Sequence, residues 1–317
     1  MAADLSACWR QLVVTDILCK LIAFMVLTPL LGLAFRVMLA SSGDAFLADQ
    51  DILLFLLGPF GAACAVLAGG IWLAIVALEQ AALLAILSAE RAGLKTGVVQ
   101  ALHVAGRHAL PVLEVTVRLV AFTLLAAVPF LAGIGALYVL MLGDYDINFY
   151  LQEKPPEFLA AVAIATLLVL ALVGVLLRLF SGWFLALPVV LFEQVPPRDA
   201  PRASRARVEG DRGLVLLGIA LWFVLTGVLS AVGSGLVLGA GRVVVPLAAD
   251  SVVLLVVVIG ALVLLWMALG LATNLLSTIL FALMLVATYE LRGGAARLET
   301  SIFAAKPPEV ARFRLTT

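Results

Sequence analysis

The stretch from Val252 to Glu290 reads VVLLVVVIGALVLLWMALGLATNLLSTILFALMLVATYE, and it decides the fold class. Its only charged residue is the last one. A helix needs about 20 apolar residues to cross the hydrocarbon of a bilayer. At about 1.5 Å per residue, the stretch would reach nearly 60 Å as one helix. It therefore predicts a transmembrane helix that either projects beyond the membrane or is broken.

The composition extends this interpretation to the whole chain. Of its 317 residues, 64% are hydrophobic and 13% are charged, whereas soluble domains have about 45–50% apolar and about 25% charged residues. We predict an all-α fold, a polytopic transmembrane helical bundle whose partners include membrane lipids. The net charge of zero gives no reason to expect a nucleic-acid partner, and the oligomeric state stays open. The predicted spans are 13–40, 52–88, 112–142, 158–193, 213–240 and 252–290.

Several of these runs are longer than one crossing, so their breaks determine the number of segments. Proline and glycine predict breaks at Gly58-Pro59, at Pro188 and near Gly270–Asn274. A break at the first position would make residues 51–60 a half helix that leads into the second span. The sequence is compatible both with about six long helices and with eight segments.

Lysine and arginine are divided unequally between the two sides of the six-span arrangement. The far side holds only Lys154 and Arg242. The other side holds Arg10, Arg91, Lys95, Arg107, Arg198, Arg202, Arg205, Arg207, Arg212, Arg292, Arg297, Lys306, Arg312 and Arg314. Because basic loops stay on the cytoplasmic side, we expect a multi-pass protein with both termini cytoplasmic. The Ala-, Leu-, Val- and Arg-rich composition is compatible with a bacterial inner membrane.

Two of the polar segments outside the spans have patterns of their own. Residues 89–111 carry apolar side chains at spacings of three and four, which predicts an interfacial amphipathic helix. Residues 194–212 are rich in proline, alanine and arginine and predict a loop. Its arginines either follow the topology rule or contact anionic lipid headgroups. We place a polytopic membrane domain at 1–292 and a cytoplasmic tail or linker at 293–317.

A few ionisable side chains fall inside the apolar runs. Asp16 and Lys20 are four residues apart and are predicted to pair on one helical face. We expect Lys20 and Arg36 to reach opposite membrane interfaces. The acidic candidates to pair with the intramembrane arginines Arg118 and Arg178 are Glu79 and Glu114.

The last span carries a polar face. Asn274, Ser277 and Thr278 lie at i, i+3 and i+4, so a helix places them on one side. Polar groups in hydrocarbon seek partners, and we expect this face to point into the bundle. It is either a helix-packing contact or the lining of a cavity.

The segment 144–158, DYDINFYLQEKPPEF, is the most polar and aromatic loop. Its start resembles a calcium loop, but such a loop needs glycine at position six and glutamate at position twelve. Phe149 and Pro155 stand there, so no metal is predicted. Pro155-Pro156 predicts the start of the next helix. Four other polar residues of the segment are not needed to start this helix. We predict that they form a candidate ligand or partner site: Asp146, Asn148, Glu153 and Lys154.

Other chemistry is not indicated. Cys8, Cys19 and Cys64 have no CxxC spacing, and His103 and His108 are five residues apart, so no metal and no cofactor are predicted. The sequence contains no Ser/His/Asp set, no HExxH and no Walker loop. We expect no catalytic residues in this chain.

The segment 146–158, DINFYLQEKPPEF, resembles the membrane domain of glycerophosphoryl diester phosphodiesterases. DQDIL at 49–53 and ATYELR at 287–292 support the resemblance, which covers about residues 1–300. In that family the domain is commonly fused to a catalytic barrel that begins with His-Arg-Gly. The chain has no His-Arg-Gly, and residues 293–317 are far too few for a barrel of about 250 residues. The resemblance therefore implies either a stand-alone membrane domain or a chain that stops before the barrel.

The resemblance implies a role in lipid metabolism. The expected function is a non-catalytic membrane domain that anchors or presents lipid-derived substrate to a partner hydrolase, a glycerophosphodiester phosphodiesterase catalytic subunit. The alternative is a small transporter or lipid-handling protein.

Overall fold

The structure, a computed structural model, describes residues 2–42, 55, 58–92, 96–143 and 147–294. Helices account for nearly all of the described residues, and no strand occurs among them. The helices are α1 Ala2–Ser42, α2 Pro59–Arg91, α3 Val98–Arg107, α4 Ala109–Met141, α5 Ile147–Glu153, α6 Pro156–Trp183, α7 Ala186–Glu193, α8 Ala200–Val208, α9 Arg212–Leu247 and α10 Val252–Tyr289. A π-helical turn, Glu290–Gly294, follows α10.

Six helical segments within the described residues are long and apolar enough to cross a membrane. They are Cys8–Val37, Pro59–Arg91, Ala109–Met141, Pro156–Glu193, Arg212–Leu247 and Val252–Gly294. The all-α, polytopic fold class is thus confirmed.

The break predicted at Pro188 is present, a few residues earlier. Helix α6 ends at Trp183 and α7 begins at Ala186. Proline has no N–H group, and its ring clashes with the carbonyl four residues before it, so an unbroken helix would be strained there. The buried hydroxyl of Ser204 accepts from the Leu185 N–H at 3.1 Å and donates to the Gly182 carbonyl at 2.8 Å. One side chain from α8 therefore satisfies a backbone donor and a backbone acceptor at the break.

Replacing Ser204 with alanine is expected to cost about 1–3 kcal/mol of unfolding free energy, because two buried backbone groups lose their partner. Thermal unfolding in detergent measures the cost. Ser181→Ala is the matched control, since the Ser181 hydroxyl is also buried but bonds only the Arg178 carbonyl of its own helix. Equal effects of the two substitutions would contradict the bridging role of Ser204.

The other predicted breaks have different outcomes. Helix α10 runs without interruption through Gly270–Asn274, so that prediction was wrong. A lone glycine weakens a helix but keeps its N–H donor, unlike proline. Helix α2 begins at Pro59 after an extended Gly58. Most of the proposed half helix 51–60 lies outside the described residues.

The long helices pack as three neighbouring pairs, α1 with α2, α4 with α6, and α9 with α10. The fully buried side chains that join the pairs lie at one end: Leu12, Leu83, Leu87, Leu185, Phe192 and Tyr289. We call it the basic end, because it contains Arg91, residues 198–212 and Arg292. We call the polar and aromatic segment 144–158 the island, and the opposite end of the bundle, which contains residues 147–156, the island end. Between them the apolar side chains are mostly exposed, as expected of surfaces that face lipid.

The polar segments of the basic end are more ordered than the sequence predicts. Helix α3, Val98–Arg107, confirms a short helix within 89–111, with Ala101 buried and Val99 exposed. Its position at the membrane interface stays a prediction. The segment 194–212, predicted as a loop, does connect two spans, but it contains the short helix α8, which was not predicted. Alanine and arginine favour helices, and Pro201 occupies the first turn, where no N–H is needed.

The boundary between the membrane domain at 1–292 and the tail at 293–317 falls at the end of the described chain. The π-helical turn contains Gly293 in a left-handed conformation, with φ of 82°. Such a conformation commonly ends a helix and favours glycine. The tail itself stays a prediction.

Candidate functional site

The island end is organised by aromatic rings. The Tyr150 side chain is buried, stacks on the Phe158 ring at 5.8 Å between centroids, and meets Phe149 edge to face at 5.6 Å. Lys154 has a left-handed backbone with φ of 46°, and its N–H bonds the Tyr150 carbonyl at 3.1 Å. Helix α6 then begins at Pro156, as the Pro-Pro pair predicted. This part of the island thus joins α5 to α6.

The structure does not assemble the four candidate island residues into a site. Asp146 lies outside the described residues, and Asn148 is described only as a position in α5. The side chains of Glu153 and Lys154 are exposed and make no ion pair with a described residue. Their role in binding a ligand or partner stays a prediction.

The polar face of the last span is divided between two environments. The Ser277 side chain is buried, with its hydroxyl 3.1 Å from that of Thr226 on α9. The Thr278 hydroxyl instead donates to the Asn274 carbonyl of its own helix at 2.9 Å, and the Asn274 side chain is exposed. The expectation that the face points inward holds for Ser277 and is wrong for Asn274. Asn274 lies one turn beyond the buried core, where neighbouring helices no longer cover that side of α10.

A second polar cluster lies where α1, α2 and α10 meet. The Lys20 ammonium pairs with Asp16 on its own helix and lies 3.0 Å from a Glu79 carboxylate oxygen on α2. The side chain of Gln80 donates to the Thr278 carbonyl on α10 at 3.4 Å. Asp16 is completely buried. We call Asp16, Lys20, Glu79 and Gln80 the buried charge cluster.

The buried charge cluster confirms one predicted pair and corrects one other expectation. Asp16 and Lys20 do pair. Glu79 pairs with Lys20 rather than with Arg118 or Arg178, and the expectation that Lys20 and Arg36 reach opposite interfaces stays a prediction. Arg118 pairs with Glu114 at 2.8 Å, on an exposed face of α4. The sequence singled out Glu79 but gave no sign of its partner, because the contact joins residues 59 positions apart.

Ion pairs also tie the basic end together. Arg207 on α8 pairs with Glu193 at the end of α7, and the Tyr289 hydroxyl donates to the same carboxylate at 2.8 Å. Two further pairs link Arg91 to Glu290 and Arg292 to Asp211. Glu193 and Glu290, which close the fourth and sixth spans, thus join α2, α7, α8 and α10, and Asp211 adds the start of α9.

These clusters hold helices together, and none has the composition of a metal centre. Among the described residues, no group of three or more His, Cys, Asp and Glu side chains could hold a metal ion. The His103 side chain is exposed, and the His108 ring contacts only the Val104 carbonyl of the preceding turn, at 2.9 Å. The three cysteines form no disulfide.

The fold defines a multi-pass helical membrane protein. The chain matches the family model for the membrane domain of glycerophosphoryl diester phosphodiesterase over residues 2–312, and it belongs to that family. It matches no curated protein and no solved structure.

Proposed function

We propose that this chain is a non-catalytic membrane domain that presents lipid-derived glycerophosphodiesters to a partner hydrolase. The family match over residues 2–312 carries the proposal. The absence of a His-Arg-Gly motif and of any nucleophile–base set from the sequence supports a role without chemistry of its own. The localisation that goes with it is a bacterial inner membrane, with both termini in the cytoplasm.

The packing also suits a docking platform. The buried core and the ion pairs of Glu193, Glu290 and Asp211 lie at the basic end, so both apolar packing and ion pairs hold the helices together there. A rigid surface loses little conformational entropy when a partner binds. Concentrating the hydrolase and its substrate on one membrane raises their effective concentration without new catalytic groups.

Reconstitution tests the proposal. Proteoliposomes that contain lysophosphatidylglycerol are mixed with a soluble glycerophosphodiester phosphodiesterase catalytic domain from the same genome. Hydrolysis is expected to be about tenfold faster than with protein-free liposomes. This increase is smaller than the roughly 100-fold or greater gain of covalently linked binding modules, because the hydrolase is held non-covalently. The chain alone is expected to release no product. Hydrolysis by the chain alone, or an unchanged rate with the partner, would refute the proposal.

The island residues are tested in the same assay. Replacing Asp146, Asn148 and Glu153 with alanine is expected to change stability or partner binding. Gln152→Ala is the matched control, because Gln152 is an exposed neighbour in the same short helix. An unaltered rate, affinity and stability in the triple variant would remove the island from the site.

The alternative, a small transporter or lipid-handling protein, has one observation in its favour. The buried charge cluster places Asp16, Lys20 and Glu79 between membrane-spanning helices, and ionisable groups in such positions commonly mark an ion or substrate path. Liposomes loaded with glycerophosphoglycerol distinguish the two functions. Release that depends on the protein supports transport, whereas none is expected of a presenting domain.

A further inference from the structure

A cavity of about 580 Å³ opens between α4, α6 and α8 near the basic end. Its volume lies within the range of about 300–1,000 Å³ that is typical of small-molecule sites. One wall is apolar and comes from two membrane-spanning helices, with Phe122 and Leu125 on α4 and Leu179 on α6. The other wall is basic and comes from α8 and the turn before it.

The basic wall has a defined pattern. Arg198, Arg202 and Arg205 are spaced by four and three residues, so they project from the same side of α8 and its preceding turn. The only carboxylate among the lining residues is Asp199, which leaves a formal charge of three minus one, or +2. Arg198 and Arg202 are exposed and form no ion pair with any residue that the structure describes.

The arginines of α8 and its preceding turn lie on two sides of the helix. Arg207 points to the opposite side, where the Glu193 carboxylate neutralises it. The charges of Arg198, Arg202 and Arg205 have no such counterpart in the described structure. Since the fold neutralises Arg207 but not these three, their positive charge is available to an anion in the cavity.

Arg205 lies against an aromatic ring at the edge of the cavity. Its guanidinium lies 5.5 Å from the centroid of the Trp183 ring, a cation–π contact. Gly182 allows the approach, because a Cβ atom there would lie 3.0 Å from Arg205 Cγ. Trp183 also lines the cavity, and its buried indole N–H has no acceptor among the described residues. An arginine in contact with Trp183 and an unpartnered donor are therefore adjacent at the junction of the two walls.

We propose that this cavity binds the phosphodiester headgroup of an anionic glycerophospholipid from the leaflet at the basic end. Planar guanidinium groups match phosphate oxygens in charge and geometry. Leu125 is 68% exposed, so the apolar wall is continuous with the surface that faces hydrocarbon. A soluble anion would use the arginines but not this wall, whereas a phospholipid uses both. The inference does not rest on the proposed function, because a lipid bound here could equally be structural.

The test measures lipid retention by native mass spectrometry of the delipidated full chain. Phosphatidylglycerol is expected to be retained in preference to phosphatidylcholine with the same acyl chains. The variant R198Q/R202Q is expected to retain about 30-fold less phosphatidylglycerol. This corresponds to about fivefold for each arginine, the usual effect of one basic residue beside an anionic bilayer surface. R107Q/R242Q is the matched control, since it removes two exposed charges away from the cavity.

A third variant tests the apolar wall. Ala126 lines the cavity, and Ala126→Trp should fill it without changing the charge and should reduce retention as strongly as R198Q/R202Q. Thermal unfolding confirms that each variant is folded. Equal retention of the two lipids, or unchanged retention by R198Q/R202Q, would overturn the proposal. Displacement of phosphatidylglycerol by equimolar glycerophosphoglycerol or inorganic phosphate would also overturn it, because the site would then select a soluble phosphate.

Discussion

Replacing Lys20 with methionine is expected to lower the free energy of unfolding by about 3–5 kcal/mol, the usual cost of removing one partner of a buried ion pair. The ammonium of Lys20 forms ion pairs with two carboxylates, those of Asp16 and Glu79, whose side chains are only 0% and 7% exposed. Methionine keeps the apolar stem but leaves both carboxylates without their cation. Unfolding of the purified protein in detergent measures the loss.

Two comparisons give this prediction its control. Arg118→Met breaks the pair with Glu114, whose side chains are 34% and 46% exposed, and should cost no more than about 1 kcal/mol. The triple variant D16N/K20M/E79Q removes every charge of the cluster and should regain most of the stability, because neutral replacements avoid the desolvation penalty. If Lys20→Met is no more destabilising than Arg118→Met, the cluster does not hold α1 to α2.

The buried charge cluster also shows where prediction from sequence stops. The Asp16–Lys20 pair was predictable because the periodicity of a helix brings residues four apart together. The contact of Lys20 with Glu79 depends on how α1 packs against α2, and apolar periodicity does not fix that orientation. In a membrane the exposed side is as apolar as the buried side, so hydrophobicity cannot tell which face of a span points inward.

The same limit explains the mixed outcome for the polar face of α10. Helical periodicity correctly grouped Asn274, Ser277 and Thr278 on one side. Only Ser277 is buried, because the core begins at its level and the pairs contact each other less towards the island end. Length and hydropathy predicted the six long apolar runs, but they left six helices and eight segments both open because they do not show where a run breaks. The depth at which the pairs come together depends on contacts between residues distant in sequence.

The cavity at the basic end could not be predicted for a related reason. The arginines at 198, 202 and 205 share a side only if residues 200–208 are helical, and the prolines of that segment favoured a loop. The proline spacing permits a helix that begins after Pro197, since Pro201 then occupies the first turn. A helix-start signal was therefore present in the sequence, but the composition of the segment obscured it.

Replacing Glu193 with alanine is expected to cost about 3 kcal/mol and to loosen α8 from the rest of the basic end. The Glu193 side chain is 5% exposed and binds both the Arg207 guanidinium and the Tyr289 hydroxyl. The substitution removes a buried carboxylate that binds both a cation and a phenol. Hydrogen bonds to charged groups contribute more to stability than hydrogen bonds between neutral groups. Thermal unfolding measures the stability, and hydrogen exchange of residues 200–208 measures the attachment of α8.

The contrast with Glu290→Ala separates this role from a general effect of charge. Glu290 and its partner Arg91 are 27% and 17% exposed, so their pair should contribute only about 1 kcal/mol and leave exchange in α8 unchanged. The double variant E193A/R207A should recover part of the loss, because it removes the cation together with its carboxylate. Faster exchange in α8 with Glu193→Ala should bring weaker retention of phosphatidylglycerol, since Arg202 and Arg205 would no longer be held beside the apolar wall. Unchanged exchange in α8 would show that Ser204 and the contact of Arg205 with Trp183 suffice to hold it.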